Sequence, residues 1–116
     1  MTDIILSENR TNETNNVRQS SIEVMFGQGD SMSAHFNHGD PIQVDTSINK
    51  FIADGVYVWM ADNRTFISML QSMPDSNGDR IRVSYSNPDY PAWFMPKDLN
   101  YQIIGMVKKA WRSKTL

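Results

Sequence analysis

The stretch Gly27-Gln28-Gly29-Asp30-Ser31-Met32-Ser33 presents a serine in a short polar loop. A serine hydroxyl becomes a useful nucleophile only when a base within hydrogen-bond reach takes its proton. Without such a base, Gly-Asp-Ser-Met is an ordinary polar turn. The only histidines are His35 and His38, which lie with Asp40 in Ala34-His-Phe-Asn-His-Gly-Asp40. His35 is close in sequence to Ser31, but local loop geometry rarely aims such a ring at the hydroxyl. A metal centre wants three converging ligands held by supporting groups, so two histidines in a Gly-bounded loop read as loop. Gly27-x-Gly29 has no βαβ unit around it and is not a dinucleotide fingerprint. Neither a metal nor a cofactor is expected.

The elements that must position these residues are short. Residues 7–21 contain one apolar side chain, Val17, and read as linker. The expected organisation is a flexible tail over 1–20 and one folded domain over 21–116. From Ser21 onward, short apolar runs are separated by Gly, Pro, Asn and Asp, the pattern of an all-β domain. The spacing predicts strands near 22–26, 42–45, 55–61, 64–71, 80–85 and 101–111. Gly55-Val-Tyr-Val-Trp-Met-Ala61 and Thr65-Phe-Ile-Ser-Met-Leu-Gln71 form a predicted hairpin around a polar turn at Asp62-Asn63-Arg64. Asn77-Gly78 supplies a further turn. No window sustains helical periodicity over three turns. The fold class expected is mainly β, a compact coiled sheet rather than a flat sandwich.

Bulk composition narrows the function classes. The 116 residues suffice for one domain, and an apolar fraction of 40% can fill a modest core. A formal charge of −2 gives no basic footprint for a phosphate backbone. With no cysteine there is no disulfide framework and no thiolate metal site. The first residues lack a cationic, then apolar leader, and no apolar run approaches membrane-spanning length. A cytoplasmic protein making no membrane contact is expected.

The succession Gly29-Asp-Ser-Met32, His38-Gly-Asp-Pro-Ile-Gln-Val-Asp45, Gly55-Val-Tyr57, a hairpin ending Leu70-Gln71, and Ser84-Tyr-Ser-Asn-Pro-Asp-Tyr-Pro91 resembles the C-terminal domain of the LexA-like repressors. That group includes phage repressors and mutagenesis proteins with a signal-peptidase-like fold. The order and spacing of the pieces carry the resemblance, across residues 27–93. It implies that Ser31 matches a nucleophile that cuts the protein's own linker, with a buried lysine on a later strand as base. Burial disfavours the ammonium and leaves a neutral amine able to accept the proton. The matching segment here is Ile67-Ser68-Met69-Leu70-Gln71, and the lysine position is Ser68. A hydroxyl is no proton acceptor comparable to an amine at neutral pH. The alternation Phe66, Ser68, Leu70 puts Ser68 on an apolar face, bonded to nearby backbone or to Ser31. Lys50, Lys97, Lys108, Lys109 and Lys114 are not at positions the resemblance supports. The Ala-Gly bond that such domains cut is missing before Ser31, since the first alanine is Ala34. These departures describe a vestigial nucleophile and an inactive protease.

The resemblance then implies the oligomerisation and regulatory domain of a phage transcriptional repressor, a dimer or higher oligomer pairing through roughly residues 80–111. Operator DNA would be reached only through a helix-turn-helix domain absent from this chain. An active self-cleaving protease with an unidentified base is one alternative, and a stand-alone protein-binding β-domain is another. Among the late aromatics, Tyr85, Tyr101 and Trp111 are expected in the core. The loop Asn87-Pro-Asp-Tyr-Pro-Ala-Trp-Phe-Met-Pro96 either folds over the core or forms an interface, because its prolines exclude it from a sheet interior. Trp93, Phe94 and Met95 are the candidate partner-binding anchor, with a small antirepressor protein as the expected ligand.

Overall fold

Runs rich in β-branched and aromatic side chains, bounded by turn-forming residues, become the strands of one antiparallel sheet. The computed structural model describes residues 21–76 and 78–112, so the linker expected over 1–20 lies outside the described residues, as do Asn77 and Lys114. The strands are β1 (Ile22–Phe26), β2 (Pro41–Asp45), β3 (Gly55–Ala61), β4 (Arg64–Met73), β5 (Arg80–Ser84), β6 (Trp93–Phe94) and β7 (Tyr101–Ala110). Their order across the sheet is β1-β2-β7-β3-β4-β5-β6. No helix among the described residues is long and apolar enough to cross a membrane.

Turn chemistry fixes the central hairpin. Asp62 and Asn63 take φ of 53° and 62°, so the turn between β3 and β4 is two residues long and Arg64 already pairs with Ala61. Positive φ at both positions matches the twist of antiparallel strands, and Asp and Asn tolerate it better than most residues. The register then runs unbroken, with Trp59 opposite Phe66, Tyr57 opposite Ser68 and Gly55 opposite Leu70.

β7 is inserted between β2 and β3, so the last strand of the fold is central to it. Its pairing slips by one residue at Gln43/Val44 and again at Val58/Trp59. Such bulges bend and twist a sheet, which is how this one coils. Close approach of β2 needs a glycine on β7. A Cβ on Gly105 would lie 2.5 Å from Val44 Cγ1 and 2.9 Å from the Asp45 carbonyl oxygen. Asp45 itself accepts hydrogen bonds from the Ser47 hydroxyl (2.6 Å), the Ser47 N–H (3.0 Å) and the Ser21 hydroxyl (3.3 Å). The Ser47 bonds hold its carboxyl below the ordinary aspartate range, and the Ser21 bond ties the start of β1 to the end of β2.

Both faces of the sheet are buried at β3. Tyr57 and Trp59, fully buried, lie in a core with Leu70, Val83, Met95 and Ile103. Val58 faces the other way, into a second core with Ile42, Val44, Met32 and Phe36. Met32 and Phe36 come from the loop that carries Ser31, which is therefore the lid of the second core. Tyr85 and Tyr101 pack against the cores as expected. Trp111 does not: it is 48% exposed, because β7 ends at Ala110 beyond the reach of the core. Gly105→Ala is expected to cost about 1–3 kcal/mol, the range for forcing extra volume into a packed contact, with no change of strand content. Urea unfolding followed by circular dichroism measures it, and an unchanged midpoint would contradict the close approach.

Candidate functional site

Ser31 is positioned from two sides. Within its own loop, Gly27 N–H bonds the Asp40 carbonyl and Gly39 N–H the Gly27 carbonyl, both at 2.9 Å. Gly39 takes φ of 85°, and the buried Asp40 carboxylate accepts the Asn37 N–H at 2.8 Å. These bonds account for the His-Gly-Asp segment: glycine for the positive φ, aspartate to satisfy the backbone of the turn. The His38 Nδ1 accepts the Gly29 N–H at 2.9 Å, so this ring braces the loop. From the other side, the segment after β5 clasps the serine loop. Asn87 donates its N–H to the Ser31 carbonyl (2.9 Å) and its side-chain amide to the Asp30 carbonyl (3.0 Å). The Ala34 N–H bonds the Ser86 hydroxyl at 3.3 Å, and the Tyr90 hydroxyl donates to the Asp30 carboxylate.

Ser31 opens onto a cleft of about 400 Å³ whose walls include Thr65, Phe66 and Ile67 of β4 together with Tyr85 and Tyr90. Among the described residues, the Ser31 hydroxyl has no hydrogen-bond partner, and no histidine or lysine lines the cleft. The two phenols are no substitute. The Tyr85 hydroxyl accepts the Trp93 indole N–H at 2.9 Å. The Tyr90 hydroxyl is pushed above its ordinary value, first by its bond to Asp30 and then by that carboxylate's charge.

The base position is filled differently from either expected arrangement. Ser68 is fully buried, and its Oγ accepts the Trp59 indole N–H at 2.9 Å, rather than bonding backbone or Ser31. The Trp59 ring stacks on Phe66 (4.4 Å between centroids) and meets Tyr101 edge-on (6.2 Å). A four-carbon amine at position 68 would have to displace that packing, and it would set an ammonium where the indole N–H now has its acceptor. Trp59 is the neighbour of Ser68 that sequence reasoning missed.

The remaining candidates lie elsewhere. His35 sits beside Phe36 and Val107, away from the cleft. Lys50, Lys108 and Lys109 are exposed, and Lys97 reaches Asp75 at 3.8 Å. Among the described residues no three His, Cys, Asp or Glu side chains converge as metal ligands do. Of the Trp93-Phe94-Met95 anchor, Met95 is 4% exposed and belongs to the core, so it is no surface contact. Trp93 is half-buried with its indole N–H on Tyr85. Phe94 alone is exposed, at 40%, under the Arg80 guanidinium 4.4 Å from its ring. The Pro-rich loop folds over the core by adding the two-residue edge strand β6 to β5, a place where flanking prolines are tolerated.

Residues 4–108 match the family model described as peptidase S24-like. The chain belongs to that family. This peptidase S24-like chain is also 33% identical over 85 residues to the 26 kDa repressor protein of Escherichia phage HK022. The alignment covers 73% of this chain and 34% of that relative, so the chain spans about a third of the relative's length.

The Tyr90 clasp has a pH signature. A group whose folded pKa is raised contributes stability in full below its unfolded value, near 10, and loses it as pH rises through the folded value. Above that point, a phenolate would face the Asp30 carboxylate and the clasp would open. Phenolate absorbance titration should show a late step that is absent in Tyr90→Phe. Asp30→Asn should lower it toward the ordinary range, and an unchanged curve would contradict the assignment.

Proposed function

We propose that this chain is the self-association and regulatory domain of a phage-type transcriptional repressor, retaining the peptidase fold and the nucleophile position without peptidase chemistry. The observation that carries this reading is the buried Ser68 hydroxyl bonded to the Trp59 indole at the place where the resemblance calls for a lysine. Family membership and the similarity to a phage repressor support the repressor context. In this reading a helix-turn-helix domain upstream meets a palindromic operator as a pair. Tethering two weak half-site binders makes the second contact nearly intramolecular. The formal charge of −2 fits a domain that leaves phosphate contacts to another part of the protein.

Prolonged incubation at neutral and alkaline pH, followed by intact mass measurement, is expected to show no Ser31-dependent fragment. Ser31→Ala is the control, and fragments present in the wild type but absent from this variant would contradict the reading. Ser68→Lys should not restore cleavage of an added Ala-Gly peptide, because the amine would enter a packed aromatic site. It should instead destabilise the fold by roughly 1–3 kcal/mol.

A repressor that does not cut itself needs another route to release. A small antirepressor protein that favours a DNA-incompetent arrangement would supply it through differential affinity for the two states. Phe94, exposed on a Pro-flanked edge and held under Arg80, is the anchor for such a ligand in this reading. In a reporter strain carrying the full repressor, Phe94→Ala should leave repression intact and reduce its relief by the antirepressor. Unchanged relief would exclude Phe94.

A further inference from the structure

Open antiparallel sheets have two edges, and each presents unpaired backbone groups that can recruit another strand. The two edges of this sheet are built differently. At one, β6 is only two residues long, with Pro91 and Pro96 close by and Arg80 over Phe94. These are common devices for blocking edge pairing. Among the described residues the other edge is β1, Ile22-Glu23-Val24-Met25-Phe26, which carries no proline, no lysine and no arginine. Its alternate residues Ile22, Val24 and Phe26 are 42%, 60% and 58% exposed and form an apolar stripe on the solvent side.

The ladder shows where the free backbone groups are. Thr46 N–H bonds the Ser21 carbonyl, and Gly27 N–H the Asp40 carbonyl. Between these two inward-bonded positions, hydrogen-bonded residues alternate, so Glu23 and Met25 bond to β2. Ile22, Val24 and Phe26 turn their N–H and C=O groups to the open side. Phe26 pairs with Pro41, which has no N–H to give, and this agrees with a non-bonded position there.

We propose that β1 pairs antiparallel with β1 of a second copy of this chain about a two-fold axis at Val24. This rests on the self-association part of the proposed function and names the surface for it. The segment is self-complementary in that register. Ile22 lies beside Phe26 of the second copy, and Val24 beside its own equivalent. Glu23, the strand's one charge, lies opposite Met25, so no like charges are opposed. The residues immediately upstream are a poorer occupant: a hairpin folding back at Ser20-Ser21 would set Gln19, Arg18, Asn16 and Asn15 along the strand, with Val17 the one apolar member. The late strands are poorer still, since β7 has both edges occupied and β6 is shielded. Pairing at β1 also sets the two Ser21 residues about 20 Å apart across the axis, at about 3.4 Å per residue, so anything upstream is tethered close to the dyad.

Sedimentation velocity over a concentration series is expected to show dimers of the full chain. Val24→Lys should raise the dimer dissociation constant by roughly 100-fold or more, because the axis sets the two ammonium groups side by side. Its circular dichroism should match the wild type, since position 24 is exposed, and its melting should match that of wild type diluted to the monomer. The chain has no cysteine, which allows a second readout. Val24→Cys should oxidise to a disulfide-linked dimer, because hydrogen-bonded partners sit about 5.5 Å apart between Cα atoms, within disulfide range. Glu23→Cys should remain a thiol. A folded Val24→Lys that dimerises like the wild type would overturn the surface while leaving self-association standing. Dissociation by Val24→Lys without cross-linking of Val24→Cys would overturn the register. A wild type that stays monomeric at every concentration would overturn self-association itself.

Discussion

A buried indole N–H that finds no acceptor costs about 1–3 kcal/mol, so a tryptophan at the centre of a sheet dictates what lies beside it. Trp59 is fully buried on β3, and the residue within its reach on β4 is Ser68. Everything about the site follows from that pair. The hydroxyl is the smallest side chain that accepts the indole hydrogen without a cavity or a clash, and Phe66 and Tyr101 close around the ring. The same face continues into Leu70, Val83 and Ile103, so Ser68 stands against the main core. The cleft has Ser31 at its mouth and β4 as a wall, and no histidine or lysine among the described residues lines it.

The serine loop persists because it has a second task. Met32 and Phe36 seal the other face of the sheet, and Asn87 and Tyr90 bind the loop from outside. The loop is therefore held by packing and by the clasp, independently of any chemistry at Ser31. Gly-Asp-Ser-Met can be retained for packing and clasping alone, and a nucleophile-like motif by itself says little about activity. The partner of the serine decides it.

Much of the fold was legible in the sequence because it is written locally. Two β-rich arms around a polar turn make the hairpin legible, and the alternation Phe66, Ser68, Leu70 makes the apolar face of its second arm legible. The turn was read one residue too long, through Arg64, and that residue decides which side chains meet. With the two-residue turn, Ser68 falls opposite Tyr57 and diagonal to Trp59, and its acceptor role becomes readable. What stayed hidden depends on distant parts of the chain. Neither the insertion of β7 between β2 and β3 nor the clasp from Asn87 to Asp30 has a local signature. Met95 and Trp111 changed places relative to expectation for the same reason. β6 pairs with β5 and delivers Met95 inward, while β7 carries Trp111 past the last core layer.

The central claim is that the Ser31 hydroxyl is chemically ordinary because no histidine or lysine among the described residues lines its cleft. A serine-reactive phosphonate reads this directly, since it reports activation of the hydroxyl independently of any scissile bond. After incubation at neutral pH, intact mass and peptide mapping should find Ser31 unmodified, and labelling at background like that of the other serines. Stoichiometric labelling of Ser31, abolished by Ser31→Ala, would show an activated nucleophile and contradict the account.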